Sequence, residues 1–312
     1  MADDVRQRAV ADGIVRVTFP LPLGIDHVHC YLLRGDDGWT LVDTGLGLPG
    51  GEERWRSVVA ELDGPVVRIV ITHGHPDHIG DAVAAAAVTG ASVFQGRADY
   101  ERCLEVWDDP GWPRAAAQHL VQHGMPPEEV EAVQSISEAV MSMIHFVRDP
   151  ELLEPGDRVD GWRVEYLPGH ADGHIAFFRE GTMIAGDVLL LGITPVVGLY
   201  PGGRPDPLAD YLASLGEVSS LAPGVAFAGH GPVVRDPSRR AREIIEHHRV
   251  RADEAVAAVG AGAGDAYGVS LALFGELSPQ QRRFAVAESL AHLEHLANLG
   301  RVERRDGGYA PR

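Results

Sequence analysis

The sequence predicts an α/β fold with a small helical appendage at its C-terminal end, and three observations carry that prediction. Short β-branched segments alternate with Ala- and Leu-rich ones between Ile14 and Ala228. The run Thr72-His73-Gly74-His75-Pro76-Asp77-His78-Ile79-Gly80 falls between an expected strand and an expected helix. From Pro237 onward the strand pattern gives way to helices, which marks a domain boundary. A chain of 312 residues exceeds the usual single core but fits one large unit, 1–235, with a second unit at 236–312.

Taken in order, Ile14–Phe19, Val28–Leu33 and Trp39–Val42 read as strands, and Asp36-Asp37-Gly38 supplies the hairpin turn between the last two. Val66–Ile71 reads as a buried strand running into the His-rich loop, and the Ala-rich Ile79–Val88 as the helix after it. Ser92–Gln95 is a further strand. The segment 97–149 reads as an insertion of two or three helices, broken at Asp109-Pro110-Gly111-Trp112-Pro113 and at Gly124-Met125-Pro126-Pro127. Strands return at Arg163–Leu167, Ile175–Arg179 and Thr182–Ala185, followed by a Gly/Pro-rich loop, a helix at Leu208–Leu221 and a strand at Val225–Ala228. Beyond Pro237 come a helix to Val259, a Gly-rich turn, two more helices ending at Gly300, and a hairpin around Asp306-Gly307-Gly308. Three helices and a hairpin suggest a winged helix.

Composition narrows the partners. With 45% hydrophobic and 23% charged residues the chain is an ordinary folded protein. Its net charge of −18 disfavours nucleic acid and anionic membrane surfaces as partners. Two cysteines, Cys30 and Cys103, are too few for a disulfide scaffold and point to a reducing, cytoplasmic compartment. The charged start Met1–Arg8 has no apolar signal core, and the apolar run Val188–Tyr200 contains Pro195 and is too short to span a bilayer.

The chemistry concentrates in the His-rich run. His73 and His75 alternate in an extended stretch and can face one ion, whereas Asp77 and His78 open the next helix and can face a second. Imidazole and carboxylate donors together suit zinc, iron or manganese better than calcium. Further donors follow apolar runs at strand ends: His170 in Pro168-Gly169-His170, Asp187 after Gly186, and His230 between Gly229 and Gly231. Alone, each is an ordinary turn residue; their order along the chain, together with the loop motif, is what gives them weight.

Those four motifs, in that order, resemble the metallo-β-lactamase-fold hydrolase superfamily over roughly residues 13–235. The resemblance implies a four-layer αββα sandwich with a dinuclear metal centre at one edge. By matching motifs, His73, His75 and His170 would hold the first ion, Asp77, His78 and His230 the second, and Asp187 would bridge them. Asp43, in Val42-Asp43-Thr44-Gly45, stands where the family orients a ligand imidazole. An Asp at the bridging position resembles the glyoxalase II, lactonase and tRNA-processing branches and points away from β-lactams. Two divalent ions, zinc first with iron or manganese as alternatives, about 3.5–4 Å apart would share a hydroxide that attacks a thioester, ester or lactone carbonyl, with Asp77 as proton acceptor. The alternatives within the superfamily are a metal-dependent endoribonuclease, which the net charge opposes, and an iron-dependent sulfur dioxygenase.

The remaining polar residues have plainer readings. His174 is expected to be a hydrogen-bonding structural histidine, and His27 and His29 are structural strand residues. Lying between the loop motif and His170, the insertion with Trp107, Trp112, Met125 and Met141 is expected to cover the metal edge as a lid over a small-molecule pocket. The C-terminal unit resembles the winged-helix domain appended to lactamase-like protein 2-type hydrolases. Its last helix carries Glu288 and Glu294, which favours packing or a homodimer contact over DNA binding.

Overall fold

β-branched residues that alternate between two apolar faces build two sheets, and helices cover what the sheets leave bare. The computed structural model describes residues 5–22 and 24–312, so the first four residues of the charged N-terminal run lie outside the described residues. Along the chain come β1 (Arg6–Ala11), β2 (Ile14–Pro20), β3 (His27–Arg34), β4 (Trp39–Val42), α1 (Gly51–Ala60), β5 (Val66–Ile71), α2 (Pro76–Ile79), α3 (Ala82–Thr89) and β6 (Ser92–Gly96). The insertion supplies α4 (Arg97–Trp107), α5 (Trp112–Gln122) and α6 (Pro127–Met141). Next are β7 (Glu151–Leu153), β8 (Arg158–Val159), β9 (Trp162–Tyr166), β10 (Ile175–Arg179), β11 (Thr182–Gly186), α7 (Pro207–Leu221) and β12 (Val225–Ala228). The chain closes with α8 (Pro237–Gly260), α9 (Ala266–Phe274), α10 (Pro279–Asn298) and the hairpin β13 (Val302–Arg305) and β14 (Gly308–Pro311).

The first sheet runs β1 to β7 in sequence order, antiparallel through β4 and parallel from there on. The second has the order β12-β11-β10-β9-β8, with only β11 and β12 parallel. Leu33, Val42 and Val70 of one sheet meet Val164, Phe177, Ile184 and Phe227 of the other in a shared core. The outer face of the first sheet, with Leu32, Leu41 and Ile69, packs on Trp55 and Val58 of α1 and Ala82 and Ala85 of α3. The outer face of the second, with Ala176 and Met183, packs on Leu208, Tyr211 and Leu215 of α7 and Ala241 and Ile244 of α8. Helix, sheet, sheet and helix are thus stacked in four layers, as expected. No helix among the described residues is long and apolar enough to cross a membrane.

Two expectations change. The helix expected over Ile79–Val88 is two helices, because the Gly80 carbonyl that would continue the first accepts from His145 N (2.9 Å), and Asp81 turns inward to accept from Trp55 Nε1 (3.1 Å). The insertion is also more than a flap. Leu120 of α5 and Val130 and Val133 of α6 share one core with Val259 of α8, Val269 of α9 and Leu290 and Leu293 of α10. Tyr267 of α9 donates its backbone N–H to His123 O (3.0 Å) and its hydroxyl to Glu129 (2.8 Å), tying the two regions together.

Candidate metal centre

The first four predicted donors leave the end of β5 on a tight turn. His73 is buried where the strand ends, and Pro76 opens α2 so that Asp77 and His78 lie in its single turn. His170 follows β9, Asp187 follows β11 and His230 follows β12, so all the donors sit at one edge where both sheets end. The structure brings all seven together in overlapping groups: His73, His75 and His170; His73, His78 and Asp187; Asp77, His78 and His230. Within each group the donor atoms lie within 4.8 Å of one another. His73 Nε2 stands 3.0 Å from His75 Nδ1. Asp187 Oδ2 is central, at 3.2 Å from His230 Nε2, 3.6 Å from His78 Nε2 and 3.7 Å from His170 Nε2. His230 Nε2 is also 3.3 Å from Asp77 Oδ2.

Four of the five imidazoles are aimed by a bond on the far nitrogen. Asp43 Oδ2 accepts from His78 Nδ1 (2.8 Å), and the same carboxylate accepts from the backbone N–H and hydroxyl of Thr72 (both 2.8 Å). Thr72 Oγ1 in turn pairs with His73 Nδ1 (3.0 Å). His170 Nδ1 donates to Val196 O (2.8 Å), and His230 Nδ1 to His27 O (2.7 Å). These bonds turn the free nitrogens of His73, His78, His170 and His230 inward, the arrangement that metal-binding histidines use. His174 accepts from the Asp187 backbone N–H (3.1 Å), a structural role as expected.

The electrostatics divide the cluster. Burial drives the His73 imidazole well below its ordinary range and His75 down to about 3, reinforced by neighbouring imidazoles, so both are neutral lone-pair donors. Burial also lowers His170, against the pull of Asp187. For His230 and His78 burial is outweighed by Asp187, with Asp77 adding to it: His230 rises to about 10 and His78 rises as well. Burial would raise Asp77, but His78 and His230 hold it at about 2; Asp187 is held low in the same way by His230 and His78. Ionised carboxylates thus face a cluster that attracts positive charge. His78 Nε2, His170 Nε2 and Asp187 Oδ1 are buried without a hydrogen-bond partner among the described residues, a costly arrangement unless a cation satisfies them. The donor set therefore fits divalent metal.

Sequence reasoning missed the support beneath the loop. Asp99, Cys103 and Trp107 lie four residues apart on one face of α4, and all three meet Gly74, the residue between His73 and His75. Asp99 Oδ1 accepts from Gly74 N (2.9 Å), and Trp107 Nε1 donates to Gly74 O (2.8 Å). A Cβ at Gly74 would strike Cys103 Sγ, so only glycine fits. The spacing of four was visible in the sequence as a helical stripe, but what it faced was not.

Comparison with known proteins agrees with this geometry. Residues 23–230 match the family described as "Metallo-beta-lactamase superfamily", and residues 252–310 match "Metallo-beta-lactamase-like, C-terminal domain". A crystal structure of a metallo-beta-lactamase family protein from Thermus thermophilus is 35% identical, with a TM-score of 0.85 over 97% of this chain and 100% of that one. The Bacillus subtilis (strain 168) protein named "Probable metallo-hydrolase YqjP" is 26% identical over 91% of this chain and 92% of its own length. "Hydroxyacylglutathione hydrolase GloC" of Haemophilus influenzae is 28% identical over 68% of this chain and 89% of its own length. With its donor-lined sheet edge and both of its regions matched, the chain belongs to the metallo-beta-lactamase superfamily and is a metallo-hydrolase of that fold.

Proposed function

We propose that the protein hydrolyses a thioester, ester or lactone of a small molecule. His73, His75 and His170 would hold one divalent cation, Asp77, His78 and His230 a second, and Asp187 would serve both. The observation that carries this reading is the single Asp187 Oδ2 lying within 3.7 Å of His170 Nε2, His78 Nε2 and His230 Nε2. Zinc is the cation we assign, since imidazoles and carboxylates in this number suit it. When bound, such a pair of cations lowers the pKa of water and polarises a substrate oxygen.

The chain's own contribution is placement and proton handling. Asp43 and the carbonyls of Val196 and His27 hold the imidazoles in the tautomer that presents a lone pair inward. Asp77, partly exposed and ionised at neutral pH, is the carboxylate we assign to take up a proton as water attacks the carbonyl and to pass it to the leaving group. No side-chain nucleophile is required. Support for the thioester class comes from the relative named hydroxyacylglutathione hydrolase, and the net charge of −18 weighs against a phosphodiester polymer.

The test is a hydrolysis screen of acyl-thioesters, lactones, aryl esters and single-stranded RNA, with zinc- and manganese-loaded protein, alongside metal content as purified. Turnover of an acyl substrate that is lost with chelator is the expected result. Cleavage of RNA with no acyl hydrolysis would overturn the proposal.

A further inference from the structure

A second group of metal-ligating side chains is buried away from the sheet edge: His248 of α8 with Glu288 and His292 of α10, their donor atoms within 4.8 Å of one another. Their exposures are 1%, 7% and 1%, so all three are buried. Glu288 and His292 are one helical turn apart and share a face of α10. His292 Nδ1 pairs with the backbone carbonyl of Glu288 (2.9 Å), which leaves its Nε2 as a lone-pair donor toward the cluster. This is the tautomer-fixing bond that metal-binding histidines make. That Nε2 stands 3.3 Å from His248 Nδ1. Two nitrogens bound at about 2.0–2.1 Å to one tetrahedral ion are separated by about 3.3–3.4 Å.

One detail resists a purely structural reading. Glu288 is buried yet forms no ion pair among the described residues, and an unpaired carboxylate away from water is costly. We propose that His248, Glu288 and His292 bind one divalent transition-metal ion of the zinc class, which staples α8 to α10. Two imidazoles and one carboxylate match zinc-type donors better than those of calcium or magnesium. Three protein ligands leave one tetrahedral position for a small non-protein ligand. The staple stands behind the strand-end centre: the His248 ring packs edge-on against Tyr211 (centroids 5.6 Å apart), and Tyr211 Oη donates to Val188 O (3.0 Å), next to Asp187. The proposal is independent of the ligand assignment at the sheet edge.

Full-length protein stripped of metal, then reloaded with Zn2+ and gel-filtered, should retain one equivalent more per chain than the Glu288→Gln variant carried through the same steps. Equal retention in the two would overturn the proposal. Should that variant fail to fold, wild-type crystals equilibrated with three equivalents of Zn2+ decide the matter. An anomalous difference peak between His248 and His292 is expected, and the lack of one overturns the proposal whatever the sheet edge holds.

Discussion

At the scale of single residues, Asp187 and Asp43 act on the same imidazole from opposite ends. Asp187 Oδ2 approaches His78 Nε2, while Asp43 accepts from His78 Nδ1, so removing either carboxylate has a distinct signature. Asp187→Ala should lose metal at both proposed positions and with it hydrolysis; unchanged metal content and turnover would rule out a shared ligand. Asp43→Ala leaves every donor in place but frees the His78 ring, and a metal affinity lower by about 10–100-fold is expected from competition with a chromophoric chelator. Asp43 itself adopts a positive φ of 61°, a backbone strain tolerated because its carboxylate is held by Thr72 and His78 while its own N–H donates to Val70 O. The seven candidate donors were legible in the sequence because the loop motif and the order of the strand-end residues behind it form a pattern that none of the three strand-end residues makes alone. The carbonyls of Val196 and His27 were not, since a backbone oxygen carries no residue-type signal.

At the scale of elements, α4 is the brace of the His73-Gly74-His75 loop. Asp99→Ala would leave the Gly74 N–H without its acceptor, and a loss of about 1–3 kcal/mol is expected in chemical denaturation of the metal-free protein. A wild-type value would mean that water replaces the carboxylate without cost. The joint between the insertion and the C-terminal helices carries its own pH dependence. His119 donates to Leu199 O (3.2 Å), and burial, aided by His123, lowers its imidazole from 6.5 to about 4. Between those two values the unfolded chain binds more protons than the folded one. This contribution to stability is therefore full above pH 6.5 and is lost progressively as pH falls toward 4. Thermal melting of wild type against His119→Gln should converge over that interval; parallel curves would exclude His119 as the source. Among elements, strands and helices with strong apolar periodicity were readable. The edge strand β1, Arg-Gln-Arg-Ala-Val-Ala, was not, because only its pairing with β2 makes it a strand.

At the scale of the whole molecule, the insertion and the C-terminal region are one body of packing. Leu293 is fully buried in the core shared by α5, α6, α8, α9 and α10. Leu293→Ala should cost about 2–5 kcal/mol, and unfolding monitored within the insertion, by Trp112 fluorescence, should shift together with the C-terminal region. Separate transitions would mean that the two pack without sharing stability. The early part of α8, with Ala241 and Ile244, packs on the second sheet, and its later part, with Ala255 and Val259, packs in this joint core. One continuous helix thus connects the αββα sandwich to its appendage, and trimming the insertion as if it were a detachable lid would open the core of both.

What the sequence alone determined was the fold class, because apolar periodicity is a local pattern; it pointed to two regions and seven candidate donors through the composition shift after Pro237 and the order of its motifs along the chain. Only the tertiary structure decided that Asp187 Oδ2 approaches His78, His170 and His230 together, that α4 grips Gly74, and that the insertion and the C-terminal helices share a core. Those facts depend on contacts between segments far apart in the chain. Burial and distance arise when the chain closes on itself, and no run of residues encodes them alone.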